Sequence, residues 1–122
     1  MEFFIRQNST MPILKLQLTD DGKNDKSSFN SNLENSVITL DLIDINNNVP
    51  YILNATCDIT NKVKKNNFIT DEYFIIHHFT NVETKTKGRY EAKINIQFFN
   101  ENMVNTDLLI LPLKEKLYVN IV

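Results

Sequence analysis

Between Tyr90 and Phe98 the chain alternates with period two. Tyr90, Ala92, Ile94, Ile96 and Phe98 are separated by Glu91, Lys93, Asn95 and Gln97. On a strand, successive side chains point to opposite faces, so this spacing predicts one buried and one wetted face. A helix would spread the polar residues around the whole cylinder. Val37 to Ile45 repeats the pattern with Ile38, Leu40 and Leu42 on one side. Asn46-Asn47-Asn48 then interrupts it, and asparagine tolerates positive φ, so a hairpin turn is predicted there. Tyr51 to Ile59 follows as one strand with Tyr51, Leu53, Ala55, Cys57 and Ile59 aligned. Pro50 cannot donate to a ladder, which places it at a strand start or on an edge.

Leu14, Leu16 and Leu18 alternate with Lys15 and Gln17 before Asp20-Asp21-Gly22, which reads as a turn. Tyr73 to Phe79 predicts a strand with Tyr73, Ile75, His77 and Phe79 on one side. Leu117, Val119 and Ile121 predict a final strand, and Leu108 to Leu111 a short strand or helical turn stopped by Pro112. Residues 23–35 read as a polar surface loop pinned by Phe29 and Leu33, and residues 61–70 as a second loop. Seven or eight short strands with turn signals between them predict an all-β fold, an antiparallel β-sandwich or a barrel. Its sheet edges would be natural docking sites. One domain over 1–122 is expected from the length.

Composition changes this picture little. Thirteen Lys and Arg face fifteen Asp and Glu, for a net charge of −2. No basic field points to nucleic acid, and Lys62, Lys64 and Lys65 read as a solvated loop. No long apolar run predicts a membrane span or a signal peptide. Asparagine occurs eighteen times, a bias that speaks to genome composition more than to mechanism. The sequons at Asn8 and Asn54 are expected by chance in so Asn-rich a chain.

Reactive chemistry is sparse. Gly22 and Gly88 are the only glycines, so no Gly-rich phosphate loop exists. The single cysteine, Cys57, reads as a small buried hydrophobe. His77 and His78 are adjacent, so on a strand they point to opposite faces and cannot share one metal. A hydrolase built on either histidine would also need a nucleophile motif that is missing. Asp20, Asp21, Asp41 and Asp44 lack the dense loop that calcium requires. No catalytic residue, cofactor or metal is therefore predicted. Phe3 and Phe4 near the N-terminus either plug the core or dock onto a neighbouring chain. Tyr51, Tyr73 and Tyr118 would offer stacking surfaces to a carbohydrate or receptor if exposed.

The ordered motifs also suggest a family. Ile5 to Leu14, with Pro12, followed by Asp20-Asp21-Gly22, resembles the opening of the N-terminal domain of phage baseplate upper proteins. Leu33 and the Val37 to Ile45 strand stand where that family has a leucine and its next strand. Phe79-Thr80, Glu83-Thr84 and Gly88-Arg89-Tyr90-Glu91-Ala92 are similar to its aromatic-Thr, Asp-Thr and Gly-x-Tyr-x-Ala passage. Pro112 and Leu117 to Val122 resemble its closing segment. Asn8 replaces a usual glycine, and Phe79 a tryptophan. The resemblance implies an immunoglobulin-like sandwich of a tailed-phage virion, at the baseplate, tail, neck or capsid. It implies no enzymatic residues, other virion proteins as partners, and many copies in a symmetric assembly.

Overall fold

The computed structural model describes residues 1–18, 36–62, 72–99 and 105–122. The expected Asp20-Asp21-Gly22 turn, the 23–35 loop with Phe29 and Leu33, and residues 63–70 of the expected 61–70 loop lie outside them; Asn61 and Lys62 are in a strand and not in a loop. Among the described residues there is no helix. The described residues form nine strands: β1 (Glu2–Ile5), β2 (Leu14–Leu18), β3 (Val37–Asp44), β4 (Val49–Thr56), β5 (Asp58–Lys62), β6 (Glu72–His77), β7 (Gly88–Phe99), β8 (Asn105–Leu111) and β9 (Leu117–Ile121). They make a six-stranded sheet in the order β1-β9-β7-β3-β4, with β8 also on β7, and a three-stranded sheet β2-β6-β5.

β7 is the centre of the larger sheet. It pairs antiparallel with β3 along one side, from Tyr90 to Gln97. Its other side is shared: β9 covers Gly88 to Ala92 and β8 covers Ile94 to Phe99. β8 and β9 thus run as one line along β7, interrupted by residues 112–116 after the cis Leu111–Pro112 bond. The alternation read from the sequence is obeyed. Tyr90, Ala92, Ile94 and Ile96 are buried, and Phe98 packs against the same core half-buried. Ile38, Leu40 and Leu42 face them from β3, Leu117, Val119 and Ile121 from β9, and Leu14 and Ile75 from the smaller sheet. Both sheets close on this one apolar cluster, because each has a single dry face to hide.

Three features depart from the sequence expectation. The segment Tyr51 to Ile59 is two strands in different sheets. β4 ends at Thr56, the chain crosses at the buried Cys57, and β5 begins at Asp58 in the smaller sheet. The alternation inside β4 is also broken. Its register against β3 shifts twice, which seats both Tyr51 and Ile52 toward the core and turns Leu53 outward at 59% exposure. Each shift inserts one extra residue on β4, and an extra residue reverses the inward and outward sides beyond it. Lastly, Glu2–Ile5 is a strand, and it pairs parallel with β9, so the larger sheet is not purely antiparallel. Pro50 lies on β4, the edge of its sheet, as its missing N–H requires.

Candidate functional site

The most chemically loaded place is the corner between β6 and β7. Thr80 and Glu83 cap each other: the Thr80 N–H donates to Glu83 Oε1 at 2.8 Å and the Glu83 N–H to Thr80 Oγ1 at 3.2 Å. This reciprocal pair, spaced Thr-x-x-Glu, is a capping box closing a single turn. The Thr84 N–H donates to the Thr80 carbonyl, and the fully buried Thr84 hydroxyl donates to Ser9 O at 2.8 Å. The turn thereby holds the N-terminal segment, where Asn8 takes a φ of 65° and donates its N–H to Thr84 O. Asparagine and glycine are the residues that tolerate this left-handed backbone.

His77 enters this corner from the end of β6, 5% exposed. Its Nδ1 lies 2.9 Å from the Thr56 carbonyl and its Nε2 3.2 Å from both Glu83 carboxylate oxygens. Cys57 Sγ is 4.0 Å from the same Nδ1. The trio has the residue types of a nucleophilic triad, but the geometry denies the chemistry. A carbonyl only accepts, so the Nδ1 proton points at Thr56 O, and that nitrogen cannot take the thiol proton. Burial, with smaller contributions from Asp58 and Glu83, pushes the Cys57 thiol up to about 12. A metal fares no better, since Cys57 and Glu83 approach opposite nitrogens of one ring. Among the described residues no group of three or more His, Cys, Asp or Glu is placed to hold a metal ion. His77 is a brace between the Thr56–Asp58 crossing and the Thr80–Thr84 turn. β6 stops at His77, short of the expected Phe79, and His78 just beyond it is exposed.

A tyrosine pair completes the corner. Tyr51 and Tyr90 stack with ring centroids 4.4 Å apart. Tyr51 Oη donates to Glu83 O at 2.9 Å and accepts from the Thr86 N–H, while Tyr90 Oη donates to Thr86 O at 2.9 Å. Gly88 gives this arrangement its clearance. A Cβ there would lie 3.0 Å from the Tyr90 hydroxyl oxygen and 3.1 Å from the ring carbon bearing it. Glycine serves clearance for the phenol here, and its φ is not in the left-handed region.

Phe3 and Phe4 are separated by the strand pleat. Phe3 packs on the core, stacked at 5.8 Å on the buried Phe79, and Phe4 is 58% exposed. The segment is tied down: Met1 O accepts from the Tyr118 N–H, and Ile5 O from the Val122 N–H. Beside Phe4, Arg89 binds Glu2 at 2.6 Å and lies over the Tyr118 ring at 3.8 Å. Tyr51 and Tyr118 are thus already covered by partners, which removes them as open stacking platforms; the Tyr73 side chain lies outside the described set. Asp41 and Asp44 are apart in role. Asp44 accepts from Asn46 and Asn47 and fixes the β3–β4 turn, and Asp41 accepts from Asn54 and Asn95 on the outer face. No local spacing signals the His77–Glu83 brace, which joins the end of a strand to the turn that follows it, or the Asp41 cluster, which joins three strands.

These sheets and this corner define a two-sheet, sandwich-like all-β domain. Comparison of the chain with protein-family models, curated proteins and solved structures finds no match to any of them.

Proposed function

We propose that the chain is a non-catalytic structural or adaptor protein of a tailed-phage virion. It docks to neighbouring subunits, in several symmetric copies, through sheet edges and its N-terminal strand. The observation that carries this reading is the character of the edges. Self-contained domains guard edge strands with charge, proline or bulges. Here β4 carries Pro50 and two bulges and β1 carries Glu2, yet β1 also exposes Phe4, β4 exposes Val49 and Leu53, and β8 exposes Ile110. Exposed apolar side chains beside unpaired backbone favour burial against another chain.

Two further features support the finer assignment to an immunoglobulin-like sandwich. Tyr90, at the start of its strand, bonds back to the backbone four residues upstream, as the tyrosine corner of that fold does. Asn8, standing where the baseplate upper proteins usually have glycine, occupies the backbone region that glycine favours. The reading also fits a corner in which the buried histidine is engaged in bracing.

Mass spectrometry of purified particles from the phage encoding this chain should detect it in multiple copies. Consistent absence from particles overturns the proposal. Phe4→Asp and Leu53→Lys should leave the isolated domain folded and reduce its incorporation into particles.

A further inference from the structure

We infer that the outer face of the larger sheet carries a binding site for a neutral, polyhydroxylated sugar, centred on Asp41, Asn95 and Gln97. This inference does not rest on a virion role. The face is the one turned away from the core, where β4, β3, β7 and β8 lie side by side. Register sets Thr39 opposite Asn95, Val37 opposite Gln97, and Gln97 opposite Leu108. Together with Asp41 and Asn54 they line an open hollow of about 320 Å³. That is near the lower end of small-ligand pockets.

The lining has the chemistry of hydroxyl recognition. Each sugar hydroxyl both donates and accepts, and amide and carboxylate side chains supply both functions in fixed planes. Asp41 is held from two sides: Oδ1 accepts from the Asn54 N–H at 2.9 Å and Oδ2 from Asn95 Nδ2 at 2.8 Å. The Asn54 N–H reaches it from a bulged stretch of β4 where Asn54 takes a φ of 58°. Bulges commonly re-aim groups at functional places. With Nδ2 committed to Asp41, the Asn95 amide turns its oxygen elsewhere as an acceptor. Gln97 adds a second amide, and Val37 and Leu108, both about half exposed, offer apolar surface to the C–H faces of a pyranose.

Charge selects the ligand class. Among the described residues the lining holds one carboxylate and no cationic side chain, which disfavours phosphates, sulfates and nucleic acid. A single carboxylate also lacks the partner that glycoside hydrolysis needs, so the site would bind without cleaving.

The test is an amide NMR titration of the intact chain with methyl glycosides of glucose, galactose and N-acetylglucosamine, each to about 50 mM, with inorganic phosphate as the anionic control. At least one glycoside should give saturable shifts at Thr39, Asp41, Asn54, Asn95 and Gln97, and phosphate none. Gln97→Ala leaves the Asp41 hydrogen bonds in place. It should weaken that glycoside at least about fivefold with the melting temperature unchanged. Absence of saturable shifts with all three glycosides overturns the inference. So do shifts centred elsewhere, equal shifts with phosphate, or unaltered affinity in Gln97→Ala.

Discussion

Tyr51 and Tyr90, from the edge and the centre of the same sheet, stack at 4.4 Å, and their hydroxyls converge on the backbone of Thr86. The stack sits over Gly88, whose missing side chain gives the Tyr90 phenol its place. A local sequence feature, Gly-x-Tyr, is thereby converted into a long-range clamp on the β6–β7 corner.

Gly88→Ala should destabilise the domain by about 1–3 kcal/mol, because the new methyl meets a ring that the stack prevents from moving. Tyr90→Phe should cost about 1 kcal/mol for the lost bond to Thr86 O. The two changes should not add. Removing the hydroxyl also removes the closest atom to the added methyl, so the double variant should be more stable than the sum predicts. Urea unfolding of the four proteins measures this, and strict additivity would refute the contact.

Glu83→Ala should cost about 1–3 kcal/mol, since it leaves the buried His77 Nε2 without its partner. Glu83→Gln keeps the size and one acceptor and should lose less. Thermal unfolding would separate them, and equal stability of Glu83→Ala and the parent would show that the brace contributes nothing.

The two phenylalanines should differ in the same assay. Phe3→Ala removes a ring stacked on Phe79 and should lower stability by about 1–3 kcal/mol. Phe4→Ala should stay within about 0.5 kcal/mol, because its ring is mostly in water. A reversed order would mean that the strand β1 is set one residue out of register.

Alkali should unfold the domain earlier than its net charge suggests. Burial first, then Asp58 and Glu83, raises Cys57 from 9.0 to about 12, and burial first, then Tyr51 and Asp44, raises Tyr90 from 10.0 to about 12. Both groups hold their protons more tightly folded than unfolded. Above about pH 9 the unfolded chain therefore releases protons that the folded chain keeps, and stability falls as pH rises toward 12. Melting temperatures measured across this window should drop, and the drop should shrink in a Cys57→Ala, Tyr90→Phe double variant. An equally steep drop in that variant would assign the effect to other groups.

Cys57 should also resist a thiol reagent at pH 8 in the native protein and react at once in urea. Burial and the raised proton affinity keep the thiolate scarce. Rapid native labelling would show that the β4–β5 crossing opens freely.

The sequence by itself determined the strands that bury one whole face. Tyr90 to Phe98 and Ile38 to Leu42 lie as their alternation predicts, and Leu117, Val119 and Ile121 are buried as expected although Asn120 is buried beside them, because a period-two pattern has only one way to put its apolar residues inside. It also placed Pro50 on an edge, from the missing N–H, and expected one packed and one surface histidine, which are His77 and His78. What only the tertiary structure decided involves partners distant in the chain. The alternation from Tyr51 to Ile59 looks continuous, yet bulges against β3 break it and the chain changes sheets at Cys57. Glu2–Ile5 is too short to declare itself and becomes a strand through the parallel bonds that β9 offers. The Asp41–Asn54–Asn95 cluster joins three strands through a register that no local spacing encodes. Local pattern sets which side of a strand is dry; which strands meet, and where they slip, is set by the contacts that only the closed sheets supply.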